Sequence, residues 1–180
     1  MKSAFAFIIF AFIFFSSPKS AISQPVVNWI TMDQALELHR SNPKKIFVYI
    51  QTSWCGWCRR MESETFAHPV IVEYLNTHFY AVKFDAEETK PITFRGVTYT
   101  NDGVGQRRSP HGFAVAILQG RLSYPSVAFF DEQLHLITAL PGFRNPARME
   151  PLLVFINDDV FETNPSLDAF METFSGRVGQ

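Results

Sequence analysis

Cys55 and Cys58, the chain's two cysteines, stand two residues apart in the segment Trp54-Cys55-Gly56-Trp57-Cys58. A cross-link around Gly56 and Trp57 restricts the unfolded chain very little, because the loop-closure entropy it removes grows with loop length. The pair therefore suits redox chemistry better than stapling of the fold. The attacking species in disulfide exchange is a thiolate, and the unpaired N–H groups and positive end of a helix beginning at Cys55 would stabilise one there. Arg59, four residues on, adds a permanent positive charge at helical spacing. These features assign attack to Cys55 and resolution to Cys58, one turn deeper. Cys55 would form a mixed disulfide with the substrate, and Cys58 would break it. The expected cofactor is none beyond the Cys55–Cys58 disulfide itself.

Other chemistry for the pair lacks its remaining parts. A zinc site wants four ligands, and neither a second cysteine pair nor a paired-histidine spacing is present. A c-type haem needs His directly after the second cysteine, where Arg59 stands. The five histidines (His39, His68, His78, His111 and His135) are scattered and read as surface or cap residues. His111 is set apart only because a loop could carry it to a cleft. Trp54 and Trp57 flank the thiols as an apolar contact surface for extended substrate, with Gly56 between them. Trp29 reads as core.

To present the thiols in this way, a buried strand must run directly into a helix. Lys45 to Gln51 is a nearly continuous β-branched and aromatic run, as in a strand buried on both faces, and Cys55 to about Phe66 suits a helix. Ahead of them, Val26 to Ile30 could be a short strand, and Thr31 with Gln34 forms a capping-box start for a helix to about Ser41. Pro69 can open a further helix, and Phe79 to Asp85 is the next buried strand. The polar stretch from about 87 to 110 has no helical period, though Ile92–Phe94 and Val97–Tyr99 flank Arg95-Gly96 like a small hairpin. Phe113 to Leu118 reads as a short helix ended by Gly120. Ser126–Phe130 and Leu134–Leu140 read as an antiparallel pair. Pro146 opens a helix to about Asn157, and Asn164-Pro165-Ser166 opens a last one with Leu167, Phe170, Met171 and Phe174 on one face. This order predicts an α/β domain with a mixed central sheet and helices on both faces.

Composition restricts partners. With 16 basic and 17 acidic residues, a net charge of −1 and basic doublets only at Lys44-Lys45, Arg59-Arg60 and Arg107-Arg108, nothing gathers nucleic acid or anionic lipid. Lys2, the apolar run Ala4 to Phe15 and the small, polar stretch Ser16 to Ser23 match a secretory leader cleaved near Ser23. The run is shorter than the roughly 20 apolar residues a spanning helix needs, so no membrane role beyond export is expected. Residues 1–23 are thus expected as a cleavable signal peptide and 24–180 as one domain, periplasmic or secreted.

The Trp-Cys-Gly-Trp-Cys motif at a strand-to-helix junction resembles the thioredoxin-like superfamily, in particular its exported bacterial branch. The resemblance spans roughly Trp29 to Ile156, outside an insertion at about 87–110, and leaves an extra C-terminal helix at about 165–175. It implies a thioredoxin-like fold. It also implies that Pro125, before the strand Ser126 to Phe130, is the cis-proline facing the dithiol, so that Tyr124 and Pro125 join Trp54, Gly56 and Trp57 in binding substrate. The activity implied is thiol–disulfide exchange with protein substrates, served by a separate redox partner and most readily in the reducing direction. An oxidase or isomerase, or a non-catalytic binding or chaperone-like module, are the alternatives. Two departures stand out. Trp57 replaces the proline between the cysteines of thioredoxins proper, and Tyr49 replaces their buried acid, leaving Glu62 or water to accept the Cys58 proton.

Overall fold

The computed structural model describes residues 25–164 and 166–179. The expected leader and its cleavage point near Ser23 lie outside these, as does Pro165. Strand β1 (Ile46–Gln51) is the centre of the architecture. Its residues alternate between two cores, with Phe47 and Tyr49 on one face of the sheet and Ile46, Val48 and Ile50 on the other. Both faces are covered, which is why the run is apolar throughout.

On one side of β1 lies β2 (Tyr80–Asp85), parallel to it. On the other lies β5 (Ser126–Phe130), antiparallel, followed by the antiparallel edge strand β6 (Leu136–Pro141). The sheet order is β2-β1-β5-β6. A separate hairpin joins β3 (Ile92–Phe94) and β4 (Val97–Tyr99), and its turn places Arg95 and Gly96 at positive φ. Glycine tolerates that region freely, whereas Arg95 is held there by the hairpin.

One face is packed by α2 (Gly56–Glu64), α3 (Pro69–His78) and α5 (Pro146–Asn157), and the other by α1 (Met32–Ser41), the hairpin and α4 (Gly112–Ile117). The Thr31–Gln34 capping box forms as expected. Residues 26–29 differ from the expected strand: only Ile30 pairs, as an isolated parallel bridge to Val82. That bridge partly covers the outer edge of β2. A short helix not foreseen in the sequence, α6 (Val160–Thr163), precedes the last helix, α7 (Leu167–Thr173). A four-residue helix is too short for a period to reveal. His39, expected at the surface, is buried in α1.

His111 caps α4 and does not reach the thiols. Its Nδ1 accepts the Phe113 N–H at 3.0 Å, so Nε2 carries the hydrogen and donates to the Lys90 carbonyl at 3.1 Å. Burial lowers its pKa from the usual 6.5, outweighing the Lys90 contact and the nearby Glu88 and Asp102, which favour the charged form. The sign of the linkage follows. Above about 6.5 the ring is neutral whether folded or unfolded; below it the unfolded chain binds a proton that the folded chain resists, so stability falls with falling pH. Urea titrations at pH 7.5 and 5 should show this acid loss shrinking in His111→Asn, which keeps a capping oxygen without a titrating ring. Equal pH dependence in both proteins would remove His111 as its source.

Candidate active site

β1 ends at Gln51, and three residues later the chain enters α2, with Cys55 as its N-cap in extended backbone geometry. Cys55 Sγ accepts the Cys58 N–H at 3.1 Å and is bonded to Cys58 Sγ, the Cα atoms being 5.2 Å apart. A sulfur at an N-cap takes the place usually held by a Ser or Asp oxygen, so the same orphan N–H that caps the helix would meet the thiolate of the reduced form. Both cysteines are largely covered, Cys55 at 5% exposure and Cys58 at 1%. Gly56 opens the helix, exposed and at ordinary φ. A Cβ there would meet only Arg59 Nη2, at 3.8 Å, so the space beside Gly56 is open while Cys55 itself is covered.

Arg59 turns back over this terminus, its Nη1 donating to the Ser53 carbonyl at 3.2 Å. Its guanidinium therefore lies beside both Ser53 and Gly56, the residues that bracket Trp54 and Cys55.

The two tryptophans stand out from the site, Trp54 44% and Trp57 55% exposed. Each is held from several directions. Trp54 Nε1 donates to Glu87 Oε1 at 2.8 Å, its ring meets Tyr124 edge-on with centroids 6.0 Å apart, and the Arg108 guanidinium stacks over it at 4.2 Å. Trp57 packs against Phe143 at 5.5 Å, with Arg60 over both rings at 5.2 and 5.1 Å. Glu87, Arg108 and Phe143 are distant in sequence from the rings they meet, and no spacing pattern marked them, whereas Arg60 stands three residues after Trp57 on α2, at helical spacing.

The Tyr124–Pro125 peptide is cis, with Pro125 buried at the start of β5 and its carbonyl accepting the Gly142 N–H at 2.8 Å. Tyr124 reaches the Trp54 ring, and burial, reinforced by Glu87 and Asp85, pushes its phenol up to about 12. Among the described residues, no backbone hydrogen bond engages the Tyr124 N–H or C=O. The structure thus brings Trp54, Cys55, Gly56, Cys58 and Tyr124 to one end of the sheet.

Beneath Cys58, Tyr49 fills the space in which the resemblance leads one to look for an acid. Its hydroxyl donates to the Cys58 carbonyl at 3.0 Å and lies 3.4 Å from Glu62 Oε1, while Glu62 Oε2 is paired with Lys83 Nζ at 2.9 Å. Burial first, and the Glu62 charge second, push the Tyr49 phenol well above its usual range, so it stays a donor and takes no proton from a thiol. Glu62, by contrast, lies four residues after Cys58 on the same helix face, partly exposed beside Lys83. Among the described residues, no group of three or more His, Cys, Asp or Glu side chains gathers in a way that could hold a metal ion.

Comparison with known proteins agrees with this architecture. A family model for DsbH-type thioredoxins, described as a protein of unknown function (DUF255), matches residues 17–102. An uncharacterized protein of Caenorhabditis elegans is 36% identical over 67 residues, which is 37% of this chain and 9% of that protein. Human spermatogenesis-associated protein 20 is 38% identical over 67 residues, 37% of this chain and 8% of that one. The chain therefore spans less than a tenth of the length of these curated relatives. Among solved structures, a thioredoxin-fold protein from Helicobacter pylori superposes with a TM-score of 0.53 at 18% identity, covering 73% of this chain and 84% of that one. A putative disulphide-isomerase from Bacteroides thetaiotaomicron gives 0.51 at 21% identity, covering 77% and 96%.

Proposed function

The protein has a thioredoxin-like α/β fold carrying a Cys-x-x-Cys disulfide, and we propose that it is an exported thiol–disulfide oxidoreductase that reduces protein disulfides. The observation that carries this reading is the position of Cys55 as the N-cap of α2, bonded to Cys58 and accepting the Cys58 N–H. Export rests on the leader pattern of residues 1–23.

In the reduced protein the Cys55 thiolate attacks one sulfur of a substrate disulfide, forming a mixed disulfide and releasing the other sulfur as a thiolate that takes up a proton. Cys58 then loses its proton, to Glu62 four residues on along α2 or to water, and attacks Cys55 Sγ. This restores the Cys55–Cys58 disulfide and expels the second substrate thiolate. Two electrons pass to the substrate, and an external dithiol donor must supply them for the next cycle. The free backbone of Tyr124 suits pairing with an extended substrate segment, a short strand addition beside the disulfide.

The reducing direction is favoured by the residues between the cysteines. Strong oxidants owe their potential to a heavily stabilised reduced form. Gly56 and Trp57 bring no charge to the Cys55 thiolate, which leaves the helix terminus and Arg59 to stabilise it. Equilibration with a thiol redox buffer, followed by mass-tagged alkylation, should place the couple near the thioredoxin value of roughly −270 mV. A value near roughly −120 mV would replace the reductase by an oxidase.

A further inference from the structure

We propose that the insertion between β2 and α4 forms a substrate-selecting wall of the dithiol cleft, and that Arg108 favours polypeptides with carboxylates beside their reacting cysteine. This rests on the dithiol reading above and specifies its substrate.

The insertion reaches the site through two residues at its opposite ends. Glu87 takes the indole N–H of Trp54, and Arg108 covers the indole face at 4.2 Å. Both are tied to one buried side chain, Asn101. Its Nδ2 donates to the carbonyls of Glu87 (3.4 Å), Glu88 (3.3 Å) and Ser109 (3.0 Å), while its Oδ1 accepts from Ser109 Oγ (2.8 Å) and the Gly103 N–H (3.2 Å). The loop closes so tightly that a Cβ on Gly103 would fall 2.1 Å from Ser109 Oγ. The residue next to Arg108 and the backbone of Glu87 thus share one anchor. Trp54, directly before the nucleophile, is oriented by the two ends of a segment whose hairpin also packs on the sheet through Ile92 and Phe94.

The charge pattern gives the wall its selectivity. Among the described residues, no carboxylate forms an ion pair with Arg108 or Arg59. Arg60, on the Trp57 wall, is paired with Glu64 at 2.8 Å. The acids on the Trp54 side, Glu87 and Asp85, accept from the neutral indole and the Glu87 N–H (2.9 Å) and form no ion pair with either guanidinium among the described residues. Two unpaired guanidinium groups therefore flank Cys55, one reached through Ser53 and Gly56 and one stacked on Trp54. The Arg108 guanidinium lies over the indole at 4.2 Å without an ion-pair partner among the described residues, and an arginine can engage a carboxylate in two parallel bonds.

The test compares homodimeric disulfides of two short peptides, one with aspartates and one with lysines on either side of the cysteine, with dithiothreitol as electron donor. Wild type should reduce the acidic peptide with a kcat/KM about fivefold higher, an advantage that shrinks with added salt. Arg108→Lys, which keeps the charge, should retain most of the preference, Arg108→Ala should bring it towards parity, and Arg108→Glu should reverse it. Equal rates on both peptides in wild type, or a preference that survives Arg108→Glu, would overturn the proposal and leave the dithiol reading intact. Reduction of neither peptide by wild type would overturn both.

Discussion

Cys58→Ala is expected to turn the protein into a trap for substrate disulfides. Its Cys55 can still attack a substrate disulfide, but the thiol that completes the exchange is gone. Mixed disulfides through Cys55 should accumulate on non-reducing gels, and mass spectrometry should find the substrate joined at that residue. Cys55→Ala should trap far less. Cys58 is 1% exposed, sits inside the first turn of α2, and lacks the N-cap position that offers Cys55 a backbone N–H. Multiple-turnover reduction of insulin should fall by at least about 10²-fold in either variant, because the two thiols act as a unit. Equal trapping by both variants would mean that attack and resolution are not divided in this way. Trapping by neither would favour a binding module without turnover.

Glu62→Gln is expected to slow the second half of the cycle and leave the first nearly intact. A carboxylate that accepts a proton in the rate-determining step typically contributes 10²–10⁴-fold, and the lower figure, about 10², is the expectation here because Glu62 is partly open to solvent. The decay of a preformed mixed disulfide on Cys55, followed by rapid quench, isolates that step. In wild type this step should run about 10²-fold faster near pH 7 than in Glu62→Gln. In Glu62→Gln its rate should keep rising with pH, as direct ionisation of Cys58 takes over. A packing role for Glu62 alone would lower stability without changing the shape of the pH profile.

Much of this arrangement was legible in the chain itself. The nearly continuous apolar run between Lys45 and Gln51 reads as a strand covered on both faces, and the structure places Phe47 and Tyr49 in one core and Ile46, Val48 and Ile50 in the other. The Thr31–Gln34 box, Pro146 at a helix start and the Arg95-Gly96 turn are local devices whose physics is complete within a few residues. Residues 26–30 misled for the same reason. An apolar run shows that a segment is to be buried, but whether it extends a sheet depends on the edge it meets, and β2 accepts only Ile30.

The site divides along the same line. The spacing of Cys55 and Cys58 at a strand-to-helix junction is enough to imply a dithiol, because two residues of separation let the sulfurs meet and the junction supplies the helix terminus. The residues that surround them answer to contacts across the fold. Glu87 and Arg108 meet Trp54 only because Asn101 draws the two ends of the insertion together. Phe143 reaches Trp57 from the loop after β6, and Lys83 reaches Glu62 from β2. The sequence by itself determined the reacting atoms and the elements that hold them, since those follow from short-range periodicity and spacing. Only the tertiary structure decided which charges face the thiols and which are already paired, because ion pairs and stacked rings form between segments whose separation along the chain carries no period.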